Sequence, residues 1–410
     1  IMHLQLKLQH HVNHPILCHL MFHGTQTVPR EEREQRLVRL GVTENAWTSA
    51  DATVYHLLAR ADRLPALLEL ESDRFAHLSL TAAGVRKEAG AVQGEMRKGK
   101  ANPDRAAMDG LMATAFRVHP YHHSTIGLDA DVAGMGEGLT AAQDFFASWY
   151  RPDNLTVVVA GGIDAEVVLA DMRRTWGQWK APPRDPPKVP VEPAQDGLRR
   201  AQIVWDQGPA NTRLAIGWRV PAFVPGARES AALALLPELL ASKVAPLHRK
   251  LVEEERLANW VYMEAPEGRD PGLAFLLMEL RDGVDPAVVE DAVLEAIAEL
   301  KEDGPELSPR VRLAASRAGR SAVLTLDSPD AWASALGNAS LYRGNPLDVE
   351  PIVAALGAVR ADDVRAAARR YLVPDQCTIL TLVGPDQAVV GIEPPPIGPE
   401  LPAPTAGGAR

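Results

Sequence analysis

A chain of 410 residues is roughly two to three times the usual length of one domain, which points to two domains of about 200 residues. Apolar residues make up 46% and charged residues 23%, and no apolar run approaches the ~18 residues of a membrane-spanning helix, so a chain embedded in a membrane as helices is excluded. The 43 basic residues against 53 acidic ones leave a net charge of −10, which argues against nucleic acid as a partner because phosphate neutralisation needs basic clusters.

Six of the twelve histidines fall within the first 23 residues, where the first 18 show neither a signal-peptide core nor clean strand alternation. Cys18 and Cys377 are too few for a disulfide framework or a thiolate metal cage. The run Cys18-His19-Leu20-Met21-Phe22-His23-Gly24-Thr25 is followed by Asn45-Ala46-Trp47-Thr48-Ser49, which alternates polar and apolar residues as an exposed edge strand does. Asp73-Arg74 comes next, then Glu88 and Glu95, then His119-Pro120-Tyr121 and Gly127. At about 100° per residue, the separation of Glu88 and Glu95 returns to within about 20°, so both carboxylates share one helix face. With an upstream histidine they have the composition of a metal site; beside Lys87 and Arg97, spacing alone favours a solvated acidic stripe.

A helix is expected over Thr140 to Trp149, then a turn at Tyr150-Arg151-Pro152-Asp153-Asn154, a β-branched run from Val157 to Val159, and Gly161. Six prolines between Pro182 and Pro193 interrupt any helix or central strand and mark an interdomain linker. Beyond it, strands are expected at Arg213 to Trp218 and Ala274 to Leu280, and helices at Glu229 to Leu251 and Pro286 to Glu302. The earlier order then returns: a helix over Ala361 to Arg370, Tyr371, Pro374-Asp375, Thr378-Ile379-Leu380 and Gly384. The two halves therefore read as repeats of α+β class, each with helices packed on a mostly antiparallel sheet. The expected boundaries are residues 1–181, a linker over 182–198, a second domain over 199–390, and a proline-rich, polyproline-like or disordered tail over 391–410.

The order of these segments resembles the pitrilysin family of zinc metallopeptidases, the group of pitrilysin, insulysin and the mitochondrial processing peptidase. Its members carry His-x-x-Glu-His on a helix, then Met-Phe-x-Gly-Thr, an Asn-Ala-x-Thr-Ser strand, a helix with Glu-x6-Glu, and His-Pro-Tyr. Here the resemblance runs from His19 to Gly384. It implies a half-clamshell of two homologous domains, a zinc cofactor, and endoproteolysis of peptides or unfolded polypeptides. Residue by residue it implies His19 as the second histidine ligand, Glu95 as the distal carboxylate ligand and Glu88 as the supporting carboxylate. Asn45, Ala46 and Trp47 take the place of the edge that accepts peptide as an added strand, although an ordinary sheet edge with Trp47 as packing is an equal alternative.

Two positions depart from the family pattern. The general-base glutamate is replaced by Cys18 and the first histidine by Pro15. Proline has no donor atom for zinc, and a thiol is a poor substitute for a carboxylate that must take a proton from metal-bound water. Activity is therefore expected to be weakened or abolished, the alternative being a non-catalytic peptide-holding or structural subunit of a heterodimer. His14 lies about 140° from His19 on a helix and points off that face; His23 shares the face but is expected at the surface. His122 and His123 are expected in a polar turn. The family's Arg-x6-Tyr pair falls on Val252 and Asn259, which implies that a second pitrilysin-type subunit carries it; Arg249 and Arg256 read as helix-surface charges. The abrupt agreement from His19 onward points to an altered reading frame or a truncated gene model over residues 1 to 18, which an intact single frame encoding Pro15 and Cys18 in the DNA would exclude.

Overall fold

Strand pairing organises the computed structural model, which describes residues 2–7, 15–182, 188–396 and 398, into two sheets. His14, residues 183–187 of the proline-rich stretch and most of the C-terminal tail lie outside the described residues. The first sheet runs in the order β2 (Thr43–Thr48), β3 (Ala52–Leu58), β1 (Met2–Lys7), β4 (Leu155–Val159), with every pair antiparallel. The second runs β5 (Arg199–Val204), β9 (Cys377–Val383), β6 (Arg213–Val220), β8 (Gly272–Leu280), β7 (Ala258–Glu264). Here β5 and β9 are parallel and the other pairs antiparallel, so this sheet is mixed. Helices pack on both sheets, which makes the fold α+β. Among the described residues no helix is long and apolar enough to cross a membrane.

Strand β1 departs from expectation. It lies inside the first sheet, laddered to β3 on one side and β4 on the other. Its residues, Met2-His3-Leu4-Gln5-Leu6-Lys7, do alternate in polarity, but that period of two is confined to the strand and vanishes when all 18 opening residues are taken together.

The chain forms two compact units that are discontinuous in sequence. One comprises Ile1–Arg97, Thr125–Val189 and Leu324–Val349; the other comprises Lys98–Ser124, Pro190–Val323 and Glu350–Arg410. Each unit thus takes a segment from the opposite half of the chain. In the first, the helix Pro329–Arg343 packs on β1 and β4. Helices α1 (Pro15–Leu20), α2 (Arg30–Leu40), α3 (Leu64–His77) and α4 (Ala82–Lys100) follow β1, and α5 (Pro103–Ala115) then packs on β5, β6 and β9 in the second unit. Asn102 starts α5 by accepting the N–H groups of Asp104 and Arg105, with Pro103 just behind it. Gly110 lets this helix close on the sheet, since a Cβ there would lie 2.8 Å from Ile203 Cδ1 and 3.1 Å from Leu380 Cδ1.

The single helix expected over Glu229 to Leu251 is instead broken into Arg228–Ala234, Leu236–Leu240, Pro246–His248 and a π-helical stretch Arg249–Glu254. Pro237 and Pro246 lack the N–H that a continuous ladder needs, so the chain restarts at each. Arg256 is not on a helix surface: it lies beyond this stretch in the left-handed region, at φ 53°.

Within the second unit, the Glu192 carboxylate accepts the backbone N–H groups of Arg117, Val118 and His119, each at 2.8 Å. His119 Nδ1 accepts the Tyr121 N–H at 3.1 Å, and its Nε2 faces Asp270 Oδ2 at 3.6 Å. His123 Nδ1 donates to the Ser124 carbonyl at 2.9 Å, which suits a turn. His122 does not: it is 2% exposed, and neither ring nitrogen finds a hydrogen-bond partner among the described residues. Burial, with His123 and His119 nearby and Glu192 opposing, pushes its pKa down to about 4. Because the folded value lies below the ordinary 6.5, the unfolded chain takes up the proton first as pH falls. The contribution of this neutral ring is therefore complete above about pH 6.5 and lost toward about pH 4. His122→Phe should remove up to about 3 kcal/mol of that acid loss, measured as the difference in urea-unfolding free energy between about pH 7 and about pH 4.5. Equal acid losses in the two proteins would contradict a buried neutral ring.

Candidate functional site

Helix α1 is six residues long, and its Ile16, Leu17 and Leu20 are all buried in the first unit's core. That apolar face fixes the roll of the helix, placing Cys18 near Thr48 and Tyr55 and His19 opposite α4. The chain then turns through Met21 to His23, with the Phe22 N–H on the His19 carbonyl and the His23 N–H on the Leu20 carbonyl, both within 3.0 Å. Gly24 is required next: a Cβ there would lie 2.4 Å from Arg30 N and 2.7 Å from the Val28 carbonyl oxygen. Thr25 and Thr27 donate their hydroxyls to Asp73 on α3 at 2.5 and 2.8 Å. Burial opposes the charge on Asp73, but Thr25, Thr27 and His77 outweigh it and hold the carboxyl below its ordinary range.

Glu88 and Glu95 do share one face of α4, and that face meets α1. His19 Nδ1 lies 3.4 Å from Glu88 Oε2, and His19 Nε2 lies 3.5 Å from Glu95 Oε1. His23, expected at the surface, is instead largely buried and donates Nε2–H to Glu88 Oε1 at 2.8 Å. Its ring rests over α4 where Gly84 leaves room, 3.3 Å from the position a Cβ would take. Burial works against the charge on Glu88, yet His23, His19 and Lys87 together hold its carboxyl below the ordinary range. Cys18 has the opposite balance. Burial pushes its thiol up more than Thr48, Arg74 and Tyr55 lower it, and Glu95 adds to the rise, so the thiol is neutral at neutral pH.

The carboxylates lie at opposite edges of the His19 ring, because the two imidazole nitrogens diverge. They therefore have no common point with one histidine nitrogen. Among the described residues no three His, Cys, Asp or Glu side chains are gathered as a metal ion requires.

Behind this face lies a cluster that sequence spacing missed. Arg33 on α2 clasps Glu44 on β2 through Nη1 and Nη2 at 2.9 and 2.6 Å, and Nη2 also reaches Glu71 on α3 at 3.1 Å. Glu71 also accepts from Arg74, whose other terminal nitrogen donates to the Met21 carbonyl at 3.3 Å. The Arg74 guanidinium lies 5.0 Å from the Tyr55 ring and 5.2 Å from that of Phe75. On an isolated helix such charges look like a solvated face; the signal that separates them is their position on the side that also carries Leu37, Leu67 and Phe75.

Strand β2 stands at the edge of the first sheet, paired with β3 alone. Asn45 and Trp47 are exposed, Trp47 by 40%, while Ala46 is half-buried opposite Tyr55. The Ala46 N–H is accepted by the Asn45 side chain at 2.8 Å, so this amide covers a donor on the strand. In the second unit, Val252 packs against the core and Asn259 donates to Glu279 at 2.6 Å.

Comparison with known proteins extends these observations. The model of insulinase, peptidase family M16, matches residues 14–129, and that of the peptidase M16 inactive domain matches residues 139–308. The first match begins ahead of Cys18, so the likeness is not confined to the chain from His19 onward. The chain is similar to the zinc protease PqqE of Helicobacter pylori, 29% identical over 293 residues that span 70% of this chain and 64% of that protein. It is also similar to the uncharacterized zinc protease YmxG of Bacillus subtilis, 23% identical over 374 residues, 90% of this chain and 87% of that one. A crystal structure of a protease from Helicobacter pylori shares the fold, with a TM-score of 0.86 at 23% identity over 93% of this chain and 94% of that chain. The family uses zinc, but with His19 and Glu95 accompanied by a proline and a neutral thiol, the donor set here does not fit that ion. The two matched regions and the shared fold establish that this chain belongs to the M16 family of zinc peptidases, the insulinase or pitrilysin family.

Proposed function

We propose that this chain is an M16 half-unit in which zinc-dependent peptide hydrolysis is weakened or lost while the capacity to hold extended peptide remains. The observation that carries this reading is the state of the helix: Cys18, which the resemblance sets at the general-base position, is a half-buried, neutral thiol, and both nitrogens of His19 face carboxylates. A thiol held above its ordinary pKa does not accept a proton from water at neutral pH. Pro15 adds no donor at the first histidine position. His19 and Glu95 keep the ligand positions of the family, and Glu88 keeps that of the supporting carboxylate.

Peptide holding is assigned to β2, with Asn45, Ala46 and Trp47 as contacts. An extended chain would add beside this strand, taking the Ala46 N–H in place of the Asn45 side chain, with Trp47 offering apolar surface. The net charge of −10 favours basic peptides at long range. The order β7-β8-β6-β9 repeats the connectivity of β2-β3-β1-β4, which supports the reading of two homologous domains. Val252 and Asn259 supply neither a guanidinium nor a phenol, so a second pitrilysin-type unit would carry that pair.

The purified protein should carry well under one zinc per chain by elemental analysis and should bind a labelled, unstructured lysine-rich peptide without cleaving it. Stoichiometric zinc with turnover of that peptide would refute the reading; zinc-free protein that forms a stable complex with another M16 chain yet binds no peptide would point to a structural subunit instead. Restoration tests the residue assignment. Pro15→His with Cys18→Glu should give a chain that takes up about one zinc, and adding Glu95→Gln should remove it, because a neutral amide is a weak zinc ligand. If the double variant keeps its helical circular dichroism and still takes up no metal, His19 and Glu95 are wrongly assigned.

A further inference from the structure

Glu44 lies on the peptide-holding strand, yet its side chain turns away from the edge and into the first unit. From there an unbroken series of charged contacts runs through Arg33 on α2 and through Glu71 and Arg74 on α3 to the Met21 carbonyl, in the turn just after α1. Arg33, Glu71 and Arg74 are each at most 1% exposed. Charges this deeply buried cannot exchange a partner for water, so a shift at one end must be followed by the next group or leave a buried charge unpaired. The far end is held as well: Arg74 lies over the Tyr55 ring, and Tyr55 is the β3 residue opposite Ala46. Strand β2 is laddered on one side only, so its placement depends on such tethers more than that of an inner strand does.

We infer that Glu44, Arg33, Glu71 and Arg74 form a positioning relay that sets strand β2 against the turn after α1, so that the affinity of the edge for extended peptide depends on side chains that touch no peptide. The affinity part rests on the peptide-holding reading; the mechanical part does not.

Glu44→Gln is the informative change. Glu44 is 21% exposed, so water can partly replace its charge, and the amide keeps the shape of the side chain. The variant should unfold cooperatively, bind a fluorescein-labelled, unstructured lysine-rich peptide about tenfold more weakly by anisotropy, and exchange amide hydrogens faster at two places. Those places are β2 itself and Met21 to His23, which Glu44 reaches through Arg33, Glu71 and Arg74. Glu44→Asp, which restores the charge on a shorter arm, should recover part of both effects. Trp47→Ala, a change on the exposed side of the same strand, should weaken peptide binding and leave exchange at Met21 to His23 at the wild-type rate. Faster exchange in β2 with no change at Met21 to His23 would overturn the relay. Coupled exchange in a protein whose wild type binds no peptide would support the relay and refute peptide holding.

Discussion

Three charged side chains with almost no water around them, Arg33, Glu71 and Arg74, constrain how the first unit is put together. Taking a guanidinium or a carboxylate out of water costs several kcal/mol, and the cost is recovered only if every charge meets an opposite one with good geometry. The partners come from separate elements: Glu44 from β2, Arg33 from α2, Glu71 and Arg74 from α3, and a carbonyl from the turn after α1. Two positive groups meet two negative ones, so the cluster is neutral only when all of these elements dock together. Burial works against the charge on Arg33, but Glu44 and Glu71 outweigh it and raise its pKa. A slip of β2 by one residue would turn Glu44 to the other face of the sheet and leave Arg33 with Glu71 alone, which it shares with Arg74.

The motif at α1 depends on the same assembly. Gly24 passes so close to the backbone of Val28 to Arg30 that no side chain fits there, and Thr25 and Thr27 are tied to Asp73, next in sequence to Arg74. One turn of α3 therefore serves both the loop after the motif and the buried charges. The contacts that hold this loop, Thr25 and Thr27 on Asp73, thus involve side chains other than Pro15 and Cys18.

Much of this was legible in the sequence because it follows from spacing. The seven-residue separation of Glu88 and Glu95 put both on the face that meets His19, and alternation around Trp47 marked an edge strand. What sequence spacing missed follows from tertiary context. Pro237 and Pro246 break a helix whose apolar period continues across them. His23 reads as a surface residue until Gly84 on another helix leaves room for its ring beside Glu88. Arg33 and Glu71 sit on amphipathic helices where a charge ordinarily faces solvent, and only their place on the side of Leu37, Leu67 and Phe75 hints otherwise, without naming the partners that other elements bring. The helix Pro329–Arg343 belongs to the first sheet although it lies in the second half of the chain, and periodicity describes how an element is built without saying which sheet it will join.

The surroundings of Cys18 sharpen the chemical contrast. Burial raises the pKa of the Cys18 thiol, while Thr48, Arg74 and Tyr55 each lower it. A carboxylic acid begins far enough below neutrality to ionise despite burial; a thiol begins above it, and burial then outweighs all three neighbours. Burial therefore keeps Cys18 protonated. At the opposing helix, Glu88 and Glu95 face the motif with His19 and His23 as their nearest bases. His19 bridges the two carboxylates and His23 adds a second contact to Glu88, so the face of α4 that meets α1 is held by imidazole–carboxylate pairs.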